Sequence, residues 1–350
     1  AWFAATFAAP TPPQVQAWPA IARGEHVLLV APTGSGKTLA AFLAALDRLL
    51  FAPRAAGARG TRVVYVSPIK ALAVDVERNL MAPLAGIRAA AAAAGVEAAP
   101  VTVAVRSGDT SARERRAIAR GDADVLITTP ESLYLMLTSA ARSALRTVEV
   151  VIVDEIHALV GNERGAHLAL SLERLELLTG KPLQRLGLSA TQRPLAEVAR
   201  FLAGARPVTI VDAAGPKQLA LTIEMPFAPG AASAAGAPAG PAASNWERVF
   251  PRLVELVRAH TSTLVFVNSR RLAERTAGAM NELAGETLVH AHHGSVAKEQ
   301  RAAIEDALKR GALRGLVATS SLELGIDMGA IDLVVQVEPP PSVASGLQRV

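Results

Sequence analysis

Residues 31–38, APTGSGKT, constrain this chain more than any other segment. They follow a short apolar run at residues 26–31 and precede a helical pattern over residues 39–50. Glycines at this spacing let backbone N–H groups turn toward phosphate oxygens, and a helix that starts behind them adds positive potential. The segment has the pattern and the position of a P-loop, which predicts a nucleotide site in an α/β fold.

We predict that this loop binds ATP and Mg²⁺. In such a loop Lys37 reaches the outer phosphates, and the hydroxyl of Thr38 binds the metal ion. The predicted nucleotide-binding residues of the loop are Thr33, Gly34, Ser35, Gly36, Lys37 and Thr38.

An acidic pair, Asp154 and Glu155, follows the apolar run of residues 148–153. Adjacent carboxylates at the end of a buried strand are costly unless they are used, and phosphoryl transfer needs groups that hold Mg²⁺ and orient water. We predict that Asp154 binds the metal ion and that Glu155 polarises the attacking water. An Asp-Glu pair also occurs at helix N-caps, so the prediction depends on its combination with the P-loop.

Short β-branched runs alternate with helical stretches along the chain. Several runs are apolar at nearly every position, which predicts parallel strands buried on both faces, a doubly wound α/β fold. Residues 226–244 hold only Ala, Gly, Pro and Ser with a single Phe. We therefore predict two domains, residues 1–213 and 246–350, joined by a flexible linker over residues 214–245. The predicted strands lie at residues 26–31, 61–67, 101–106, 125–129, 148–154, 186–190, 263–268, 287–290, 315–319 and 331–337.

Composition narrows the class of protein. The 350 residues include no Cys, which excludes disulfides and thiolate metal sites. The longest apolar stretches run about six residues, far below the roughly 20 that span a bilayer, and no signal peptide is visible. We expect a cytoplasmic protein without membrane contact. The net charge of +5 permits a polyanionic partner without requiring one.

Further segments accompany the P-loop in an order typical of one family. Residues 154–157 read DEIH, a DExH-type box, and residues 189–191 read SAT. With PTPPQ at 10–14, LVFVNSR at 264–270 and ATSSLELGID at 318–327, the chain resembles the superfamily 2 DExH-box helicases. The continuous text of residues 154–175 and HHGS at 292–295 resemble, more closely, the large helicase-related (Lhr) family of ATP-dependent DNA helicases.

The resemblance implies a fold, an activity and partners. The fold is a pair of RecA-like domains that close on ATP. The activity is 3′-to-5′ translocation on single-stranded DNA with unwinding of DNA or RNA:DNA duplexes, commonly in DNA repair. We expect the grip on nucleic acid to be largely independent of sequence and sensitive to salt.

The resemblance also assigns roles to individual residues. It implies that Gln14 reads the adenine and that Gly325 and Asp327 face the nucleotide. The predicted catalytic set is Lys37, Asp154, Glu155 and His157. The residues implied to couple the nucleotide state to domain closure are His157, Ser189 and Thr191. Those implied to contact nucleic acid are Pro68, Lys70, Gly108, Thr129, Pro130, Ser132, Asn268, Ser269, Arg270 and Thr319.

Two alternatives remain open. The first is an ATP-gated nucleic-acid module that remodels or anneals strands without unwinding, which a strand-displacement assay with a non-hydrolysable ATP analogue separates from a helicase. The second is a P-loop ATPase that acts on a protein or a metabolite, whose rate ignores added nucleic acid.

The second predicted domain stops inside a family motif. The chain ends at Gln348, Arg349 and Val350, before the arginine that motif VI of the family places at the γ-phosphate. We therefore expect a longer natural protein with further C-terminal domains. Absence of such an arginine costs about 10³- to 10⁵-fold in turnover.

Overall fold

The computed structural model describes residues 1–32, 34–52, 59–190, 193–213, 219–225, 246–322 and 331–350. The chain divides into two compact units, Ala1–Gly215 and Pro216–Val350, each built on its own sheet. Of the predicted linker, residues 214–218 and 226–245 lie outside the described part. The linker and the domain boundaries beside it therefore stay predictions.

The first unit is built on a seven-stranded sheet whose pairs are all parallel. Its strands are β1 (His26–Val30), β2 (Val63–Val66), β3 (Val103–Arg106), β4 (Val125–Thr128), β5 (Val150–Val153), β6 (Gln184–Ser189) and β7 (Val208–Asp212). They lie in the order β3-β4-β2-β5-β6-β1-β7.

Helices connect successive strands of this sheet. The described helices of the first unit are α1 (Trp2–Thr6), α2 (Pro12–Ala22), α3 (Lys37–Phe51), α4 (Lys70–Ala93), α5 (Ala112–Ala119), α6 (Pro130–Leu137), α7 (Glu163–Thr179) and α8 (Leu195–Ala203). Short 3-10 helices lie at Ala140–Leu145 and Ile156–Ala158.

The core of the first unit has two layers, one on each face of the sheet. Leu29 and Tyr65 belong to a buried cluster that includes side chains of α2, α3 and α4. The adjacent Leu28 and Val64 belong to a second cluster with side chains of α6, α7 and α8. The five interior strands β4, β2, β5, β6 and β1 are thus buried on both faces, which explains why these runs lack polar alternation and confirms the predicted doubly wound α/β fold.

Strand order decides which loops meet. In a parallel sheet all strands end at one edge, and β2, β5, β6 and β1 are successive neighbours in this one. The P-loop after β1, the DExH box after β5, and the loops after β2 and β6 therefore share that edge, where ligands bind in open α/β sheets.

The second unit has a four-stranded parallel sheet in the order β11-β8-β10-β9. Its strands are β8 (Thr263–Phe266), β9 (Val289–His292), β10 (Gly315–Ala318) and β11 (Leu333–Gln336). The described helices are α9 (Trp246–Ala259), α10 (Arg270–Ala284), α11 (Lys298–Lys309) and α12 (Val343–Gln348), with a 3-10 helix at Ser320–Leu322. Buried clusters lie on both faces of this sheet as well.

Strand β7 was not among the strands predicted from the sequence. It pairs with β1 at the edge of the sheet, and most of its residues are only half-buried or exposed. An edge strand needs fewer apolar residues than a central strand, so the apolar pattern in the sequence is weaker at β7. Its sequence VTIVD is nevertheless rich in β-branched residues, which favour strands. No helix within the described ranges has both the length and the apolar character needed to cross a membrane.

Candidate functional site

The P-loop turns through two glycines. Gly34 and Gly36 have φ angles of +76° and +84°, a region that side chains other than glycine rarely adopt. A Cβ atom at Gly36 would lie 2.5 Å from Nε2 of Gln14, so this position also lacks room for a side chain. Thr33 lies outside the described residues. The backbone conformation at Gly34 and Gly36 thus requires glycine, which supports the assignment of this segment as a P-loop.

Gln14 supports the P-loop from the side of α2. Its Oε1 accepts a hydrogen bond from the backbone N–H of Thr11 at 3.0 Å, and its Nε2 donates to the carbonyl of Gly36 at 3.4 Å. The hydroxyl of Thr11 donates to the carbonyl of Ser35 at 2.8 Å. Gln14 is buried and joins α2 to the loop, while its contact with adenine stays a prediction.

Lys37 lies within the curve of the loop. Its ammonium donates hydrogen bonds to the carbonyls of Ala31 at 2.6 Å and Pro32 at 2.9 Å. The hydroxyl of Ser35 donates to the same Pro32 carbonyl at 2.6 Å, which closes the turn. Lys37 is 6% exposed, so its charge acts on the loop and on the nearby carboxylates with little screening.

Asp154 and Glu155 lie directly after β5, and both are buried. Oδ1 of Asp154 accepts the backbone N–H of Glu155 at 2.9 Å. Burial, and then the charge of Asp154, raise the pKa of Glu155, while the charge of Lys37 opposes both effects. Glu155 is also the only non-glycine residue of the described ranges with a positive φ, +43°. Strained backbone of this kind is concentrated at functional sites.

Tyr65 links two of the predicted metal-binding residues. Its hydroxyl donates to Oδ2 of Asp154 and also hydrogen-bonds the side chain of Thr38. The ring is fully buried and stacks on Phe42 with centroids 4.9 Å apart. A hydroxyl and a carboxylate are the hard oxygen ligands that Mg²⁺ prefers, so Thr38 and Asp154 fit the predicted metal. Tyr65 was not predicted, although a hydroxyl inside the run VVYV was a visible signal.

His157 connects the DExH box to the end of β6. Its Nδ1 accepts the backbone N–H of Ala190 at 3.2 Å and lies 3.3 Å from the hydroxyl of Ser189. Burial, and then the charge of Lys37, lower the pKa of His157 to about 4, so the imidazole is neutral at physiological pH. The structure thus brings His157 and Ser189 together, whereas Thr191 lies outside the described residues.

The loops after β2 and β3 are joined by an ion pair. Nζ of Lys70 lies 2.7 Å from Oδ1 of Asp109, and both side chains are exposed. A Cβ atom at Gly108 would lie 3.0 Å from the same Nζ. Lys70 and Gly108, both predicted to contact nucleic acid, are therefore neighbours at this edge of the sheet.

The loop after β4 is shaped by helix-capping contacts. The Thr129 hydroxyl accepts the backbone N–H of Ser132 at 3.4 Å, and Pro130 starts α6. Thr129, Pro130 and Ser132 are buried, and the hydroxyls of Thr129 and Ser132 shape the start of α6. Pro68 is also buried, and its carbonyl accepts a hydrogen bond from Arg164 at 2.7 Å. Direct contact of these residues with nucleic acid stays a prediction.

In the second unit the predicted residues cluster beyond the carboxyl ends of β8 and β10. Asn268 donates from its side chain to the Pro339 carbonyl at 2.9 Å, and Ser269 caps α10. Arg270 is exposed and donates to the Ser295 hydroxyl at 2.6 Å. Thr319 directly follows β10, while Gly325 and Asp327 lie outside the described residues.

Arg349, which had no predicted role, is buried in this second cluster. Its guanidinium lies 5.0 Å above the Phe266 ring and donates to Gln336 at 3.3 Å and to Asn268 at 3.4 Å. It therefore ties the start of motif VI to strand β8 and the residue Asn268 that follows it. The letters QR at residues 348–349 were visible, but burial of this charge required the fold.

Each unit matches a family model. Residues 11–198 match the DEAD/DEAH box helicase model, and residues 248–350 match the helicase conserved C-terminal domain. The first match spans more than half of the chain and includes the P-loop and the DExH carboxylates. The chain belongs to the DEAD/DEAH box helicase family.

Within that family the chain is similar to Lhr helicases, which confirms the resemblance in sequence. It is 54% identical to the Lhr helicase/probable uracil glycosylase of Mycolicibacterium smegmatis, over all of this chain and 25% of that protein. It is 43% identical to the ATP-dependent helicase Lhr-Core protein 2 of Thermococcus barophilus, over all of this chain and 41% of that protein. The chain thus spans less than half the length of these relatives.

Solved structures show the same architecture. The Mycobacterium smegmatis helicase Lhr bound to ssDNA and AMP-PNP matches with a TM-score of 0.85 and 58% identity, over 99% of this chain and 44% of that chain. S. cerevisiae Dbp5 bound to RNA and ADP BeF3 matches with a TM-score of 0.70 and 18% identity, over 99% of this chain and 81% of that chain. The second likeness concerns the fold alone. The predicted pair of RecA-like domains is confirmed.

Proposed function

We propose that this chain is the ATP-driven motor of a helicase that moves 3′ to 5′ along single-stranded DNA and unwinds DNA or RNA:DNA duplexes in DNA repair. One observation supports the motor most directly. The P-loop, the DExH carboxylates and three loops with candidate nucleic-acid residues all follow strands of a single parallel sheet. The ssDNA and AMP-PNP bound to the similar Lhr helicase support the same pair of ligands.

We infer the following division of labour in ATP hydrolysis. Backbone N–H groups of the P-loop, the N-terminus of α3 and Lys37 hold the phosphates. Glu155 accepts a proton from the attacking water. Its raised pKa makes the Glu155 carboxylate a stronger base than an ordinary glutamate. Mg²⁺ held by Thr38 and Asp154 would supply charge neutralisation at the β- and γ-phosphate oxygens.

The neutral ring of His157 connects this site to the end of β6 through hydrogen bonds. Its Nδ1 must remain unprotonated to accept the N–H of Ala190. Since the pKa of His157 is lowered to about 4, this contact is kept across the pH range in which the motor works. We infer that a shift of the DExH box on hydrolysis is passed to Ser189 through this ring.

The experiment that tests the proposal measures ATP hydrolysis with and without single-stranded DNA, beside strand displacement on duplexes with a 3′ or a 5′ tail. We expect DNA to stimulate hydrolysis and only 3′-tailed DNA and RNA:DNA duplexes to be unwound. Displacement that proceeds equally with a non-hydrolysable ATP analogue would indicate the remodelling or annealing module. Hydrolysis that ignores nucleic acid would indicate an ATPase acting on another substrate. Sensitivity of a deletion strain to DNA damage tests the link to repair.

Tyr65→Phe is expected to weaken the Mg²⁺ dependence of the motor. The substitution keeps the stack on Phe42 but removes the hydroxyl that orients Asp154 and contacts Thr38. Groups that orient a metal ligand typically contribute about 10- to 100-fold in metal affinity or activity. We expect a rise of about that size in the Mg²⁺ concentration for half-maximal hydrolysis. Nucleotide affinity in EDTA serves as the control and should not change.

Asp109→Asn is expected to tighten binding of single-stranded DNA. Asp109 neutralises Lys70 at 2.7 Å, and its own charge repels phosphates. Removal of the anion leaves one more cation for the strand, so we expect a gain of about three- to tenfold in affinity at low salt and a steeper dependence on salt. The measurement is fluorescence anisotropy of a labelled oligonucleotide at several salt concentrations.

Asp122→Asn is the matched control for that prediction. Asp122 carries the same charge and pairs with Arg120 at 2.7 Å, but it precedes β4 and so lies at the opposite edge of the sheet. Its substitution should leave DNA affinity nearly unchanged. An equal gain in both variants would mean that net charge, rather than the ion pair with Lys70, sets the affinity.

A further inference from the structure

Arg164, in the first turn of α7, joins two of the candidate nucleic-acid loops. Its Nε donates to Oε1 of Glu131 at 2.7 Å, and its Nη2 donates to the carbonyl of Pro68 at 2.7 Å. Pro68 lies in the loop after β2, and Glu131 lies in the first turn of α6, after β4. The two bonds come from two nitrogens of one planar guanidinium, which fixes their relative directions more tightly than the rotatable ammonium of a lysine would.

The start of α7 is also attached to the DExH segment. A Cβ atom at Gly165 would overlap the carbonyl oxygen of Leu159, so the helix packs directly on the chain that follows the DExH box. The side chain of Asn162 accepts the N–H of Gly165 at 3.0 Å and donates to the carbonyl of Ala158 at 2.8 Å. The backbone that carries Arg164 is therefore anchored on residues 158–159, directly after the DExH box.

The stability of an exposed ion pair does not explain this arrangement. The side chains of Arg164 and Glu131 are 46% and 53% exposed, and exposed pairs contribute little to folding. Partial burial is the largest single effect and raises the pKa of Glu131, but the hydrogen bond and charge of Arg164, together with hydrogen bonds from the backbone of Glu131 and from Thr129, lower this pKa overall. Glu131 is thus ionised. A carboxylate beside a loop that is expected to bind phosphates repels them, so its contribution lies in fixing the position of Arg164.

We propose that Arg164 is a positioning residue that couples the DExH segment to the loops after β2 and β4, and so transmits the nucleotide state to the grip on single-stranded DNA. The inference rests on the proposed function. Hydrogen bonds lead from Glu155 to Ala158, from Ala158 to Asn162, and from Asn162 to the first turn of α7 at Gly165. Arg164, in that same turn, then bonds Pro68 and Glu131. A shift of the DExH box on hydrolysis then displaces both loops together.

The test compares Arg164→Gln, Arg164→Lys and Glu131→Gln in the purified protein. Two quantities are measured: the ratio of single-stranded DNA affinities with AMP-PNP and without nucleotide, and the stimulation of ATP hydrolysis by that DNA. Residues along a coupled network change coupling by about two- to 30-fold, so we expect both quantities to fall by that much in Arg164→Gln and Arg164→Lys. Glu131→Gln removes only one of the two bonds and should have a smaller effect. The basal hydrolysis rate should stay near that of the wild type, since none of these residues touches the nucleotide site.

Arg174→Gln is the matched control. Arg174 lies on the same helix, and its described contact is with the Tyr134 ring, 5.7 Å from the centroid, away from both loops. It loses the same charge, so the nucleotide-dependent ratio should stay at the wild-type value. The double variant Arg164→Gln/Glu131→Gln should be no worse than Arg164→Gln alone, because the two side chains act through one contact.

The outcomes separate the inference from the function on which it rests. If DNA does not stimulate the wild type, the proposed function fails. If the wild type is stimulated and the Arg164 variants keep the wild-type ratio, the coupling role is wrong. If they lose DNA affinity equally with and without AMP-PNP, and the salt slope falls by about one, Arg164 is a simple phosphate ligand and the inference is overturned.

Discussion

Replacing Glu155 with glutamine is expected to slow ATP turnover by about 10²- to 10⁴-fold, because an amide does not accept the proton of the attacking water. Nucleotide binding is expected to persist, since Lys37 and the P-loop are unchanged. The measurement is steady-state hydrolysis beside the affinity for a fluorescent ATP analogue. Turnover close to that of the wild type would remove Glu155 from the catalytic set.

The same substitution is expected to raise the melting temperature when Mg²⁺ and nucleotide are absent. Burial and the charge of Asp154 raise the pKa of Glu155, so the folded state keeps a proton that the unfolded chain releases above about pH 4.3. The free energy of unfolding of the wild type therefore falls as pH rises above that value, and Glu155→Gln escapes this loss. The gain should be larger at about pH 8 than at about pH 5. An equal gain at both pH values would contradict the raised pKa.

Lys37→Ala is expected to abolish most ATP binding and to lower turnover by about 10²-fold or more, as removal of a preorganised phosphate-binding charge does in other active sites. The ammonium already lies within the curve of the loop, bonded to the carbonyls of Ala31 and Pro32. Its loss also leaves Asp154 and Glu155 without their buried cation, so the pKa of Glu155 should rise further. Titration with a fluorescent ATP analogue measures the loss of ATP binding, and steady-state hydrolysis measures the loss of turnover.

A control separates this effect from loss of charge alone. Lys181→Ala removes the same charge from an exposed residue that precedes β6, at the opposite edge of the sheet from the P-loop. Its nucleotide affinity and turnover should match those of the wild type. Unchanged affinity and turnover in Lys37→Ala would show that the P-loop assignment is wrong.

Much of the site could be predicted because its signals are local. The P-loop occupies eight consecutive residues, and the DExH box occupies four. Each works through backbone conformation and strand-end placement, which short sequence patterns specify. The uninterrupted apolar runs VVYV and VVIV likewise predicted strands that are buried on both faces.

Other parts of the site depend on residues that are distant in the sequence. The Tyr65 hydroxyl meets a carboxylate 89 residues away, and Arg164 meets the Pro68 carbonyl 96 residues away. Strand order alone brings these pairs together, since β2 and β5 are neighbours in the sheet. A pattern read along the chain carries no information on that order.

The sequence by itself therefore determined the class of fold, the nucleotide loop, the acidic pair and the family. Only the tertiary structure decided which side chains support these features. The Gln14 amide bonds the Gly36 carbonyl, the Tyr65 hydroxyl joins Thr38 and Asp154, and Asp109 pairs with Lys70. The physical reason is that hydrophobic periodicity and backbone turns are properties of a few adjacent residues. Hydrogen bonds and ion pairs between strand-end loops exist only after packing has placed those loops within about 3 Å of each other.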